Sequence, residues 1–249
     1  MHCTSARTLL CGLAMTLAGC GSRMPGDSSG PTRWDAERQR MVTDQLAVRG
    51  IHNQRVLAAM GRVPRHEFVP EEVRNAAYDD GALPIGEGQT ISQPYIVALM
   101  TETIDPKPEQ RVLEVGTGSG YQAAVLAESV GEVYTIELLP ALAEQASARL
   151  DRLGYRNVHV RTGDGYLGWP AAAPFDAILV TCGADHVPEP LFEQLKPGGV
   201  LVIPVGSQTE HQTLSVIKKG PHGERETREL APVRFVPLRR PGDGNNGGG

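Results

Sequence analysis

The middle of the chain alternates short apolar runs with longer amphipathic stretches. Val112-Leu113-Glu114-Val115 ends in Gly116, and further runs follow at Val133-Tyr134-Thr135-Ile136, Val158-His159-Val160, Ala177-Ile178-Leu179-Val180 and Val200-Leu201-Val202-Ile203. Runs of this length read as buried strands. The stretches between them predict helices over residues 123–129, 140–153 and 188–195, the last ending before Pro197-Gly198-Gly199. Strands alternating with helices indicate βαβ units and a parallel sheet. Residues 212–217 and 233–236 alternate with period two, which suits antiparallel edge strands. Upstream, Trp34, Met41 and Leu46 mark a helix over residues 34–48 that stops at Gly50. A second helix starts with Asn53 as N-cap and continues through Val56, Leu57 and Met60. Ser92-Gln93-Pro94 opens a third, with Ser92 as N-cap and Pro94 in the first turn, which runs to Ile104. The expected fold is α/β: a doubly wound, mostly parallel sheet with an N-terminal helical extension.

Composition changes this picture mainly at the two ends. The 249 residues are enough for one large domain, expected over residues 33–240. A net charge of −5 without any Lys/Arg run argues against a nucleic-acid partner. Residues 1–20 carry Arg7, an apolar stretch from Leu9 to Leu17, and then Ala18-Gly19-Cys20. A basic start, a short apolar core and small residues describe a secretory signal, too short to span a bilayer. Leu17-Ala18-Gly19-Cys20 also resembles a bacterial lipobox, which would lipidate Cys20 and tether the protein in the cell envelope, on the periplasmic side. The alternative is translation from Met24 or Met41 and a cytoplasmic protein. Residues 21–32 read as a flexible linker and residues 241–249 as a disordered tail. Of four cysteines, only Cys182 would remain unmodified in the mature chain, so no internal disulfide is expected.

Candidate chemistry begins at the first strand. Gly116-Thr117-Gly118-Ser119-Gly120-Tyr121 is a glycine-rich turn between a strand and a helix, where a ligand can approach backbone at the strand's carboxyl end. Glu137 ends the next strand, 21 residues after Gly116, where a carboxylate can accept hydrogen bonds from ribose hydroxyls. A dinucleotide fingerprint would need a third glycine where Tyr121 stands. The G-x-G-x-G spacing instead suits S-adenosylmethionine, which has no pyrophosphate to cradle. Gly163-Asp164-Gly165 follows the third strand, and Asp164 could accept from the adenine amino group.

Upstream of this turn lies Gly88-Gln89-Thr90-Ile91-Ser92-Gln93-Pro94-Tyr95. With the glycine-rich segment, Pro174-Phe175-Asp176, Gln194-Leu195-Lys196-Pro197-Gly198-Gly199 and Pro204-Val205-Gly206, it resembles the protein-L-isoaspartate O-methyltransferase family over residues 36–238. The resemblance implies a Rossmann-like class I methyltransferase fold. It implies S-adenosyl-L-methionine as cofactor, with Glu114, Gly116, Thr117, Gly118, Ser119, Gly120, Tyr121, Glu137, Asp164 and Gly165 around it, and no metal. The implied reaction is methylation of the carboxylate of L-isoaspartyl residues in damaged proteins or peptides. The ester then collapses to a succinimide, whose hydrolysis returns some normal aspartate. Ser92 takes the family's active-site position, with Thr90, Ile91, Gln93 and Val236 as the substrate-binding neighbours.

The chain departs from the family at Thr181-Cys182-Gly183-Ala184-Asp185-His186, where a small-residue, alanine-rich stretch is usual. Cys182 reads as a small buried residue and His186 as a loop residue. Two other functions fit the same pattern. One is an O-methyltransferase for a dedicated peptide or small carboxylic acid, which would ignore unrelated isoaspartyl peptides. The other is a non-catalytic envelope binding protein, which would hold the nucleoside without turnover.

Overall fold

The computed structural model describes residues 1–2, 32–207 and 211–243. The chain divides into two units, Met1–Gly30 and Pro31–Gly249, and the architecture below is that of the second. Residues 3–20 of the expected signal, the lipobox cysteine Cys20 among them, and nearly all of the expected linker lie outside the described residues, as do residues 244–249 of the expected tail. Residues 241–243 form a turn in which the Arg240 N–H donates to Asp243 Oδ2 at 2.7 Å.

Seven strands form one sheet: β3 (Arg111–Val115), β4 (Glu132–Glu137), β5 (Val158–Thr162), β6 (Phe175–Val180), β7 (Leu195–Val205), β8 (Gln212–Lys219) and β9 (Arg225–Val233). Their order is β5-β4-β3-β6-β7-β8-β9. The first five are parallel, whereas β8 and β9 are antiparallel. Helices α4 (Tyr121–Ala127), α5 (Pro140–Arg152) and α6 (Glu189–Glu193) alternate with the parallel strands. From β3 the chain winds outward through β4 and β5, then returns to the other side of β3 with β6. The carboxyl end of β3 is therefore the topological switch point, where doubly wound sheets bind their ligands.

Apolar alternation fixes both faces of the sheet. Val112 joins one core cluster while Leu113 and Val115 join the other, and all three are at most 1% exposed. Burying each such side chain contributes roughly 1.5–3 kcal/mol. Glu114 falls on Val112's face by the same alternation, a carboxyl in an otherwise apolar strand.

The N-terminal extension holds α1 (Arg33–Arg40), α2 (Gln54–Arg62), a hairpin of β1 (Leu83–Gly86) and β2 (Gln89–Ile91), and α3 (Pro94–Thr103). Asn53 caps α2 as expected, its Oδ1 accepting from the N–H groups of Arg55 and Val56. The helix expected over residues 34–48 changes pitch at Met41 into a π-helical turn, Met41–Leu46. Met41 and Leu46 are both fully buried, and the wider turn brings residues five apart onto one face. A short 3-10 turn then ends at Gly50, whose φ of 93° gives the expected left-handed stop.

Three expectations are corrected. The N-cap of α3 is Gln93, not Ser92: Pro94 occupies the first helical position, so the cap falls on the residue directly before it. The edge strand is β9, Arg225–Val233, rather than residues 233–236. Charged residues fill its exposed edge, so it lacks an apolar alternation. The helix expected over residues 188–195 is shorter, Glu189–Glu193, and β7 already begins at Leu195, with Pro197-Gly198-Gly199 bulging out of it. Leu195 pairs with Phe175 and Val200 with Ala177, so the intervening residues loop out of the ladder.

Candidate active site

The glycine-rich turn leaves β3 with its backbone tied to β4. Gly116 N–H and Thr117 N–H both donate to Ile136 O, at 2.8 and 3.2 Å. Gly116 has φ +101°, and a Cβ there would lie 2.5 Å from Thr181 Oγ1. That hydroxyl is itself fixed, donating to Gly116 O at 2.7 Å and Val115 O at 3.1 Å. Only a glycine lets this turn close against the loop that follows β6.

Glu137 ends β4 and braces the turn. Its Oε2 accepts from Gly118 N–H at 2.8 Å and its Oε1 from Leu139 N–H at 3.0 Å. Glu114 is fully buried nearby. Its Oε2 accepts from Thr135 Oγ1 at 2.6 Å, and Thr135 Oγ1 lies 2.7 Å from Thr117 Oγ1. Its Oε1 has no partner among the described residues. Burial pushes the Glu114 carboxyl up to about 8, with Thr135 opposing the shift and Glu137 adding to it. The group is therefore mostly a neutral acid at pH 7.

A stability prediction follows from that protonation. The unfolded chain releases this proton near the ordinary value of 4.5, whereas the fold retains it until about 8. Between those values the native state holds more protons, so its stability is full below the lower value and is lost as pH rises through the upper one. Glu114→Gln keeps a neutral side chain and should flatten the decline, read by thermal melting of the cofactor-free protein from about pH 5 to about pH 9. An unchanged slope in the variant would contradict this protonation state.

Around these groups lies a cavity lined by Glu114, Gly116, Thr117, Gly118, Ser119, Tyr121, Glu137 and Gly165, and by Thr90, Ile91, Ser92 and Val236. A second recess of about 450 Å³ stands beside it, lined by Asp80, Gln93, Ile96, His211, Arg234 and Phe235 among others. Thr90, Ser92, Thr181 and Val236 line both. The two hollows therefore meet at four residues drawn from three separate segments of the chain.

Ser92 lies between β2 and α3, and its carbonyl accepts from Arg65 Nη2 at 2.8 Å. Its hydroxyl has no hydrogen-bond partner among the described residues. Val236 is held by a short backbone pairing, in which Gly183 N–H donates to Val236 O at 2.8 Å and Leu238 N–H to Gly183 O at 2.7 Å. Cys182 Sγ donates to Val115 O at 3.7 Å. Burial and the nearby carboxyls Glu137 and Glu114 push the thiol's pKa up, opposite to what a nucleophile needs. His186 sits on the surface beside Asp185 at 2.6 Å.

Three candidate residues fall elsewhere. Gly120 does not line the cavity; a Cβ there would meet Leu150 and Ala146 of α5, so the position serves helix packing. Asp164 is also off the lining, with its Oδ1 accepting from Tyr166 N–H at 2.9 Å at the start of a short turn. Gln93 faces the recess rather than the cavity, and its Nε2 donates to Asp80 Oδ1 at 2.7 Å. Conversely, Gln122, Ile136, Leu138, Leu139 and Arg239 line the cavity without having been singled out, as do Thr181 and Cys182 of the loop that departs from the family. Leu138 and Leu139 directly follow Glu137 at a strand's carboxyl end, a position that the switch-point rule could have flagged.

Comparison with known proteins agrees with the geometry. Residues 36–242 match the family model described as protein-L-isoaspartate(D-aspartate) O-methyltransferase. A protein-L-isoaspartate O-methyltransferase of Opitutus terrae is 61% identical over 204 residues, 82% of this chain and 87% of that protein. Protein-L-isoaspartate O-methyltransferase 2 of Anaeromyxobacter sp. is 53% identical over 242 residues, 95% of this chain and 99% of that protein. A solved protein-L-isoaspartate O-methyltransferase superposes with a TM-score of 0.75 at 32% identity, covering 80% of this chain and 65% of that longer one. A structure from Plasmodium falciparum, described as the same activity and solved with S-adenosyl-L-homocysteine, gives 0.70 at 27% identity, covering 82% and 98%. The sequence match spans more than three quarters of the chain, and the chain belongs to the protein-L-isoaspartate(D-aspartate) O-methyltransferase family.

Proposed function

We infer that this enzyme transfers a methyl group from S-adenosyl-L-methionine to the carboxylate of L-isoaspartyl residues in damaged proteins or peptides. The observation that carries the reading is the junction of the two hollows at Thr90, Ser92, Thr181 and Val236. A methyl donor in one hollow and an acceptor in the other would meet there.

The first hollow fits the cofactor. Its buried Glu114 Oε1 lacks a partner within the protein among the described residues, and Glu137 supplies a carboxyl at its rim. When bound, the cofactor supplies a methyl group activated by its sulfonium. Glu137 is the candidate acceptor for ribose hydroxyls, and the backbone of residues 116–119 forms the floor. Asp164 keeps one carboxylate oxygen beyond its bond to Tyr166 N–H and remains the candidate for the adenine amino group.

The acceptor needs little activation. An isoaspartyl carboxyl titrates near 4, so it is already ionised at neutral pH. Catalysis then consists of holding an oxygen in line with the methyl and excluding water, and such positioning can contribute roughly 7–11 kcal/mol. The unpartnered Ser92 hydroxyl would donate to the acceptor carboxylate and orient it without removing a proton. Gln93, its amide held by Asp80, and Val236 would border the flanking peptide.

A methyl ester made at this carboxylate should collapse to a succinimide and release its alcohol. With labelled cofactor, the label on an isoaspartyl peptide should therefore appear as methanol in mild base. A base-stable methylated product would overturn the reading.

The leader supports a second inference, about place. Arg7, the apolar run and Leu17-Ala18-Gly19-Cys20 favour export and lipidation at Cys20, giving an envelope-tethered, periplasmic enzyme. The apolar run from Leu9 to Leu17 is too short to span a bilayer, so the tether would be the lipid on Cys20. Fatty-acid label should enter the membrane-bound full-length chain and be lost in Cys20→Ser. An unlabelled soluble product would point instead to translation from Met24 or Met41.

A further inference from the structure

Arg65 lines neither hollow, yet its side chain is completely buried. It opens a short 3-10 turn, Arg65–Glu67, directly after Val63-Pro64. Its Nε donates to Ala77 O at 2.7 Å, and its Nη2 donates to Ser92 O at 2.8 Å and to Gly81 O at 3.5 Å. The guanidinium lies over the Tyr121 ring, 4.7 Å from its centroid. Nη1 has no partner, and no carboxylate pairs with Arg65, among the described residues.

A buried charge without a counter-ion is costly, and packing alone would be served as well by an apolar side chain of similar volume. The bonds that hold it name a different task. Ala77 and Gly81 belong to the approach to β1, Ser92 leaves β2, and Tyr121 opens α4 after the glycine-rich turn. One planar, rigid fork thus fixes the base of the acceptor hairpin relative to the cofactor turn. The Ser92 peptide lies outside both β2 and α3, so this bond is the side-chain tie on its carbonyl.

We propose that Arg65 is a positioning residue for methyl transfer: by gripping the Ser92 carbonyl, it aims the Ser92 hydroxyl at the junction of the two hollows. The proposal rests on the reading of Ser92 as the group that orients the acceptor. Lysine at this position would keep the charge but lose the fork that reaches three carbonyls at once.

The test uses the full chain with Arg65→Lys and, as a second variant, Arg65→Gln. Arg65→Lys should lower kcat on an isoaspartyl peptide by more than about tenfold while changing the Kd for S-adenosylmethionine by less than about twofold. In a Ser92→Ala background the same change should cost almost nothing further, because two residues acting through one hydroxyl are not additive. Amide hydrogen exchange where this loop enters α3, read at Val97 whose N–H donates to Gln93 O at 3.2 Å, should quicken by more than about tenfold, while the strands of the sheet remain protected. An equal loss of kcat with and without Ser92, or unchanged exchange at the loop, would overturn the proposal. So would failure of both variants to fold, which would mark a purely structural role. A wild-type protein that methylates no isoaspartyl peptide would overturn the proposed function instead, while loop exchange would still decide whether Arg65 holds Ser92.

Discussion

Ser92→Ala should lower turnover of an isoaspartyl peptide about 10²-fold, the loss typical of removing one preorganised hydrogen-bond donor, while cofactor affinity stays within about twofold. The serine lines both hollows, so it could in principle serve either ligand. Its hydroxyl makes no bond within the protein among the described residues, and the cap of α3 falls on Gln93. Removing the hydroxyl therefore deletes no helix cap and should leave the fold's stability nearly unchanged. What it removes is a donor at the place where the acceptor oxygen must be held. Positioning is the main catalytic need for a carboxylate that is already ionised, so the cost should fall on kcat. A large loss of cofactor binding, or an unaltered kcat, would contradict that role.

Gly116→Ala should be the most damaging single change in the cofactor turn. The added methyl would sit 2.5 Å from Thr181 Oγ1 and 3.3 Å from Cys182 Sγ, at a φ of +101°. Left-handed backbone costs a non-glycine residue roughly 1–2 kcal/mol, and overpacking adds typically 1–3 kcal/mol. Thr181 cannot turn away without breaking its bonds to Val115 O and Gly116 O. The turn must shift instead, and it lines the cavity proposed for the cofactor. Thermal melting should show a loss of roughly 2–5 kcal/mol, the sum of those two effects. Cofactor affinity should fall more than about tenfold, equivalent to about 1.4 kcal/mol. Gly154→Ala is the control: its φ is +87° but its Cβ would meet nothing within 4 Å, so it isolates the backbone part. Equal effects at the two glycines would remove the clash with Thr181 from the explanation.

Much of this architecture was legible because its signals are local. The parallel strands are short apolar runs next to Gly or Pro, and the glycine turn with Glu137 falls inside one βαβ unit. The N-cap at Asn53 and the stop at Gly50 need only their own neighbours. The β1–β2 hairpin was not legible, since four and three residues are too few to show a period, and its turn uses Gly86, Glu87 and Gly88 at positive φ. β9 was hidden by its charges, and its pairing with β8 is set by backbone rather than by an apolar face. Ser92 was misplaced as a cap by one residue, because the proline that signals a helix start also decides which residue precedes it.

The site divides in the same way. The residues expected around the cofactor lie close together in sequence, and most of them line the cavity. The second recess, proposed for the acceptor, gathers Asp80, Gln93, Thr181, His211 and Arg234, residues that become neighbours only after the sheet forms. Arg65 is the clearest case: nothing in Val63-Pro64-Arg65-His66 announces a buried guanidinium that reaches the carbonyl of Ser92, 27 residues away.

The most direct measurement is transfer of label from S-adenosyl-L-[methyl-labelled]methionine to two peptides identical except for one isoaspartyl or normal aspartyl linkage. The protein should label the isoaspartyl peptide and leave its normal twin untouched. Cofactor binding with neither peptide labelled would contradict the account, and would turn the search toward a dedicated acceptor or a binding role without turnover.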